Sequence, residues 1–156
     1  MINFAIVGAG AIAKLMATTI KMMNKGGDES VKLYAIASRS LEKAQEFAKE
    51  FGIEKAYGSY EELYNDPAIN LVYIATPHNF HYEQTKACLE HGKHVLCEKA
   101  FTVNAKEAKE LIDLSKEKKL LLAEAIWTRY QPMRQIINDV ISSGIVGPAY
   151  MITANL

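Results

Sequence analysis

Cysteine, proline and glycine are all sparse: two, four and nine in 156 residues. Two cysteines, Cys88 and Cys97, are too few for a disulfide framework in a chain of this size. They read as small buried residues in a reducing compartment. Net charge is missing too, since 18 Lys and Arg face 18 Asp and Glu. A chain that neutralises nucleic-acid phosphates carries a basic excess or a basic stripe, so no nucleic-acid partner is expected. The opening run, Met1 to Val7, has no basic leader and soon meets glycines and Lys14. It is neither a secretory signal nor a membrane span, and the expected setting is the cytoplasm, with no membrane partner.

About half of the residues (49%) are hydrophobic, as in a packed globular domain. The length suits one domain that buries roughly two-thirds of the surface its unfolded chain exposes. Short β-branched or apolar runs alternate with stretches of helical period. Strands are expected at Ile2–Val7, Val31–Ala37, near Lys55–Tyr57, and at Leu71–Ala75, His94–Cys97 and Leu120–Ala123. Helices are expected from Ala11 to about Met23, over Leu41–Phe51, 80–91 and 104–118, and from Pro132 to Ser143. Ser40 and Ser59 stand at capping positions, and Gly52 and Gly92 end helices. Strands joined by single helices need crossover connections, which predicts an α/β fold: a doubly wound parallel sheet of the Rossmann kind. This domain is expected over residues 1–147. Ala149–Leu156 looks like a further strand, so residues 148–156 read as the start of a second, truncated α+β domain. An unpaired apolar edge there would favour a homo-oligomer.

Gly8-Ala9-Gly10-Ala11-Ile12-Ala13 lies between the first strand and the first helix. It is the dinucleotide fingerprint in its GxGxxA form. Gly8 permits the tight turn, Gly10 lets backbone approach a pyrophosphate, and Ala13 allows close helix–strand packing. Ala11 and Ile12 open the helix, whose free N–H groups and positive dipole end favour phosphate. After the second strand, an NAD-preferring site places a carboxylate for the ribose 2′-hydroxyl. This chain has Ser38-Arg39-Ser40 instead, with Lys43 one turn further on. Arg39 can pair with a 2′-phosphate and stack on adenine, so NADP is the expected cofactor and NAD the second choice. Asp28 and Glu29 precede the second strand and so fall at the wrong end of the sheet. The bland reading of Arg39 is a solvated surface side chain.

Ala75-Thr76-Pro77-His78-Asn79-Phe80-His81 follows the fourth strand, at the end where open parallel sheets bind ligands. Ala75, Thr76, Pro77 and His81 are therefore candidate cofactor contacts, with local capping as the other reading of His81. Two histidines without a second ligand pair make no zinc site, and no metal is expected.

Together with Gly92-Lys93-His94-Val95-Leu96-Cys97-Glu98-Lys99, these motifs resemble the glucose–fructose oxidoreductase / inositol dehydrogenase (Gfo/Idh/MocA) family, in order along essentially the whole chain. Glu98-Lys99 is the most specific part. Family members commonly have proline after this lysine, where this chain has Ala100. Glu124-Ala125-Ile126-Trp127-Thr128-Arg129-Tyr130 is similar to the branch of dimeric dihydrodiol dehydrogenases and NADP-dependent xylose dehydrogenases. The resemblance implies that Lys99 is the catalytic residue, beside the nicotinamide and the reacting carbinol. It places Glu98 near the nicotinamide ribose or carboxamide, and Trp127 and Arg129 around the cofactor. The bland readings are a surface Glu-Lys pair and a core tryptophan.

The expectation is thus the NADP-binding part of an oxidoreductase, moving hydride between nicotinamide and a sugar or cyclic-diol carbinol. By itself the chain should bind nucleotide with little or no turnover. A non-catalytic NADP-binding module or redox-sensing partner is the alternative.

Overall fold

Phe4 and Ile6 belong to one buried cluster, Ala5 and Val7 to another. Successive side chains of a strand point to opposite faces, so the first strand is buried on both. Val72 and Ile74 against Tyr73, and Ala35 and Ala37 against Ile36, divide in the same way. Only a sheet covered by helices on both sides accepts such strands.

The computed structural model describes residues 1–153. Strands and helices alternate as β1 (Ile2–Val7), α1 (Ala11–Lys25), β2 (Val31–Ala37), α2 (Leu41–Phe51), β3 (Lys55–Tyr57) and α3 (Tyr60–Asn65). There follow β4 (Leu71–Ile74), α4 (His81–Glu90), β5 (His94–Cys97), α5 (Ala105–Glu117), β6 (Leu122–Glu124) and α6 (Pro132–Ser142). Single 3-10 turns precede α4 at His78–Phe80 and α6 at Trp127–Tyr130. The strands form one sheet in the order β3-β2-β1-β4-β5-β6, and every pairing is parallel. Ala13, Ala17 and Ile20 of α1 and Ala44 and Phe47 of α2 cover one face. Leu63 of α3, Cys88 and Leu89 of α4 and Leu111 of α5 cover the other. This is the doubly wound fold that the alternation predicts. Among the described residues, no helix is long and apolar enough to cross a membrane.

The caps are local. Ser40 Oγ accepts the Lys43 N–H at 3.3 Å, and Ser59 Oγ accepts that of Glu62 at 3.3 Å. Gly52 ends α2 with φ +70°. The sixth strand differs from its expected position by two residues. Helix α5 closes through Lys119 at φ +56°, and the Leu120 N–H donates to the Ser115 carbonyl. Leu120 therefore belongs to the helix end, and the strand extends to Glu124.

The chain divides into two compact units, Met1–Ala125 and Ile126–Leu156. The first holds the whole sheet. The sequence reading draws its boundary after residue 147, where Gly144, Gly147 and Pro148 follow the last helix. The described residues after α6 form no seventh strand: 148–153 carry none, and 154–156 of the expected terminal strand lie outside the described residues.

Candidate cofactor site

The C-terminal ends of the strands are tied side by side by backbone hydrogen bonds just past the sheet. Gly8 N–H donates to the Ala37 carbonyl at 2.9 Å, and Ala75 N–H to that of Val7 at 2.9 Å. Glu98 N–H donates to the Ile74 carbonyl at 3.0 Å, and Ala125 N–H to that of Cys97 at 2.7 Å. The segments after β1, β2, β4, β5 and β6 thus meet along one edge, and the sequence-predicted residues of the first unit stand on them.

Gly8 has φ +101°, a conformation that side chains strongly disfavour, and a Cβ there would lie 2.9 Å from the Ala75 carbonyl oxygen. The turn and the close approach of β4 both demand glycine. Gly10 is different. It caps α1 with φ −90°, and a Cβ built on it meets no protein atom within 4 Å. Protein packing does not require glycine there. No side chain caps the first-turn N–H groups and no carboxylate stands in the first turn, so the N-terminus of this long helix can receive an anion. Ala11 and Ile12 are exposed at that end, while Ala13 is fully buried against the sheet.

After β2, Ser38 is buried and its Oγ accepts the Ser40 N–H at 3.4 Å. Ser40 is occupied in capping α2, and Lys43 is exposed in the first turn. Arg39 projects from between the serines. Its guanidinium carbon lies 5.9 Å from the centroid of the Phe80 ring, within cation–π range. Arg39, Tyr60, Thr76, Pro77, Phe80 and Gln84 line one small pocket. Thr76 Oγ1 donates to Gln84 Oε1 at 2.5 Å.

His81 is 1% exposed. Its Nδ1 lies 2.8 Å from the Ala100 carbonyl oxygen and its Nε2 2.9 Å from that of Thr76. With both ring nitrogens on backbone, His81 ties two loops together and presents no polar atom to a ligand. The segment it holds runs through Glu98, Lys99 and Ala100, and the Lys99–Ala100 peptide is cis. On the far side, Phe101 N–H donates to Glu124 Oε1 at 2.9 Å. Glu98 Oε1 accepts the Tyr73 hydroxyl at 2.5 Å, and Oε2 accepts the Lys99 N–H at 3.2 Å. Lys99 itself is exposed, and among the described residues its ammonium makes no ion pair.

Tyr73, Phe80 and Glu124 carry this arrangement, and the sequence reading gave none of them a role. A signal existed for Tyr73: a buried phenol in an otherwise aliphatic strand needs a partner for its hydroxyl. Trp127 and Arg129 lie on the 3-10 turn of the second unit. Among the described residues no cluster of three or more His, Cys, Asp and Glu side chains comes together to hold a metal ion.

A dinucleotide fits these residues: a tight turn at Gly8 that admits only glycine, a helix end open to phosphate, and an arginine projecting after the neighbouring strand. Fold and site define a dinucleotide-binding Rossmann domain. The family described as "Oxidoreductase family, NAD-binding Rossmann fold" matches residues 2–125, and the chain belongs to this Gfo/Idh/MocA oxidoreductase family. It is 40% identical over 162 residues to D-xylose 1-dehydrogenase (NADP(+)) of Hypocrea jecorina, with 99% of this chain and 41% of that protein covered. It is 40% identical over 146 residues to trans-1,2-dihydrobenzene-1,2-diol dehydrogenase of Mus musculus, covering 94% and 43%. Among solved structures, an NAD-binding oxidoreductase from Klebsiella pneumoniae superposes with a TM-score of 0.86 at 30% identity, covering 94% of this chain and 40% of that one. A 3-ketoreductase from Actinomadura kijaniata, in complex with NADP, superposes with a TM-score of 0.83 at 26% identity, covering 94% and 45%. The chain spans less than half the length of the curated relatives it matches.

Proposed function

We propose that this chain is the NADP-binding part of an oxidoreductase that moves hydride between nicotinamide and a carbinol of a sugar or cyclic diol. The observation that carries the cofactor choice is Arg39. It projects just past β2, where an NAD-preferring site places a carboxylate, and it stands against Phe80. A guanidinium offers paired N–H donors to a 2′-phosphate, whereas a carboxylate repels one. Gly8 and Gly10 shape the turn at the pyrophosphate, and the Ala11 and Ile12 end of α1 faces it. Ala75, Thr76 and Pro77 carry the β4 loop beside Gly8. The names of the relatives supply the substrate class.

When bound, the nicotinamide supplies the hydride donor or acceptor at its C4. Lys99 handles the proton at the substrate oxygen: as an amine its Nζ takes the hydroxyl proton when the carbinol is oxidised, and as an ammonium it returns one when the carbonyl is reduced. Glu98, an acceptor when ionised, receives hydrogen bonds from the carboxamide or ribose. His81 and Glu124 keep the segment carrying both residues in place. The rest of the substrate site belongs to a further domain, so this chain alone binds nucleotide with little or no turnover.

Titration calorimetry of the chain with NADP and with NAD tests the reading. NADP is expected to bind at least tenfold more tightly, the scale of one charge-assisted pair (about 1.5–3 kcal/mol). Equal affinities, or a preference for NAD, overturn the role of Arg39.

A further inference from the structure

We propose that Tyr73, buried within the sheet, is a positioning residue for the nicotinamide end of the cofactor, acting through the Glu98 carboxylate. The inference rests on the cofactor reading above and extends it to a residue with no access to the ligand.

Tyr73 lies on β4 and pairs in register with Leu96 of β5. Glu98 is two residues beyond Leu96, so the Tyr73 and Glu98 side chains leave the sheet on the same face, one step apart toward the strand ends. The Tyr73 ring packs on Phe4, with centroids 6.2 Å apart. Phenylalanine would fill that position as well, so packing does not explain the hydroxyl. What the hydroxyl does is donate to Glu98 Oε1 at 2.5 Å. Burial, and then the bond to Glu98, push the phenol's pKa upward, which keeps it a donor.

The other carboxylate oxygen accepts the Lys99 N–H. Glu98 is therefore held at both oxygens, from below by a side chain that cannot leave and from the side by its own backbone. Each oxygen has two lone pairs and keeps one acceptor position. A half-buried carboxylate fixed in this way accepts only from donors, such as a carboxamide NH2 or a ribose hydroxyl. Without the phenol, the Glu98 side chain regains its rotamers, and binding must order it again.

The test uses two ligands: NADP, and adenosine 2′,5′-bisphosphate, which carries the adenine and 2′-phosphate but no nicotinamide. Tyr73→Phe is expected to weaken NADP about fivefold to tenfold, the scale of one ordinary hydrogen bond's net contribution, and to leave the bisphosphate within about twofold. Glu98→Ala weakens NADP in the same way, and Tyr73→Phe added to Glu98→Ala costs nothing further, because the phenol acts only through the carboxylate. Three results overturn the inference alone: unchanged NADP affinity in Tyr73→Phe, equal losses for both ligands, or additive losses in the double variant. A wild-type chain that binds no NADP overturns the cofactor reading and this inference with it.

Discussion

A Cβ on Gly8 would sit 2.9 Å from the carbonyl oxygen of Ala75, so the first turn of the fold and the exit of β4 share one space that only glycine leaves open. The nearest atoms are backbone and the Thr76 methyl, which cannot swing aside like the end of a long side chain. Gly8→Ala adds a left-handed conformation to that collision. It is expected to cost about 2–4 kcal/mol in urea unfolding, and NADP binding falls with the fold. Gly10→Ala separates the two effects. It meets no protein atom and sits at an ordinary φ, so its stability stays within about 1 kcal/mol. Its NADP affinity is expected to fall nonetheless, because the methyl takes space through which backbone and pyrophosphate approach each other in the proposed complex. A Gly10→Ala chain that binds NADP like wild type removes the phosphate from that helix end.

Arg39 and Phe80 make a second contact between loops that are distant in sequence, with the guanidinium over the ring. Arg39→Ala is expected to weaken NADP by about tenfold to a hundredfold, and NAD by no more than about twofold. Arg39→Lys keeps the charge but loses the planar fork, so it recovers only part of the NADP affinity. Raising the salt concentration narrows the NADP–NAD difference in wild type, since the pair with an exposed arginine is screened. Parallel losses of NADP and NAD in Arg39→Ala would place the arginine elsewhere than at the 2′-phosphate.

The parts of this site that spacing encodes were legible in the sequence. Gly8 and Gly10 sit at a fixed offset between a strand and a helix, and Ser40 and Ser59 stand directly before their helices, each capping an N–H three residues on. The alternation of strand and helix leaves few topologies besides a parallel sheet. Contacts set by strand register were not legible. Tyr73 meets Glu98 because β4 and β5 lie side by side, and Glu124 reaches the Phe101 N–H from its place opposite Cys97 on β6, a strand that starts two residues later than expected. That delay comes from a single left-handed residue, Lys119, which no periodicity announces. His81 shows the same limit: a histidine after a strand end reads equally as a ligand or a cap, and no spacing announces its burial between two carbonyl oxygens.

His81 is bracketed by two carbonyl oxygens, and a methyl in its place leaves the carbonyl that the ring N–H serves without that partner. His81→Ala also opens a cavity at a ring that is 1% exposed. The combined loss is expected to be about 2–4 kcal/mol of stability by urea unfolding. The loosening should be local as well, with faster amide exchange at Phe101, just past the held segment. Unchanged exchange there would mean that Glu124 alone fixes this segment.

Cys88 and Cys97 are both fully buried, on the α4–β5 side of the sheet. Burial pushes the Cys97 thiol up to about 12, and burial, then the neighbouring Cys97, pushes that of Cys88 upward too. An unfolded thiol ionises near 8.5, so the unfolded chain releases these protons first as the pH rises. Their contribution is complete below about pH 8.5 and is lost as the pH climbs toward 12, at a limiting slope of about 1.4 kcal/mol per pH unit for each thiol. Urea midpoints should fall steadily from pH 8.5 to 11, and Cys97→Ala should flatten that fall while lowering the starting stability. In the same protein at pH 8, a thiol reagent should label neither cysteine until urea unfolds the chain. Rapid labelling of the folded chain, or an undiminished slope in Cys97→Ala, would show that these thiols are not held protonated by the fold.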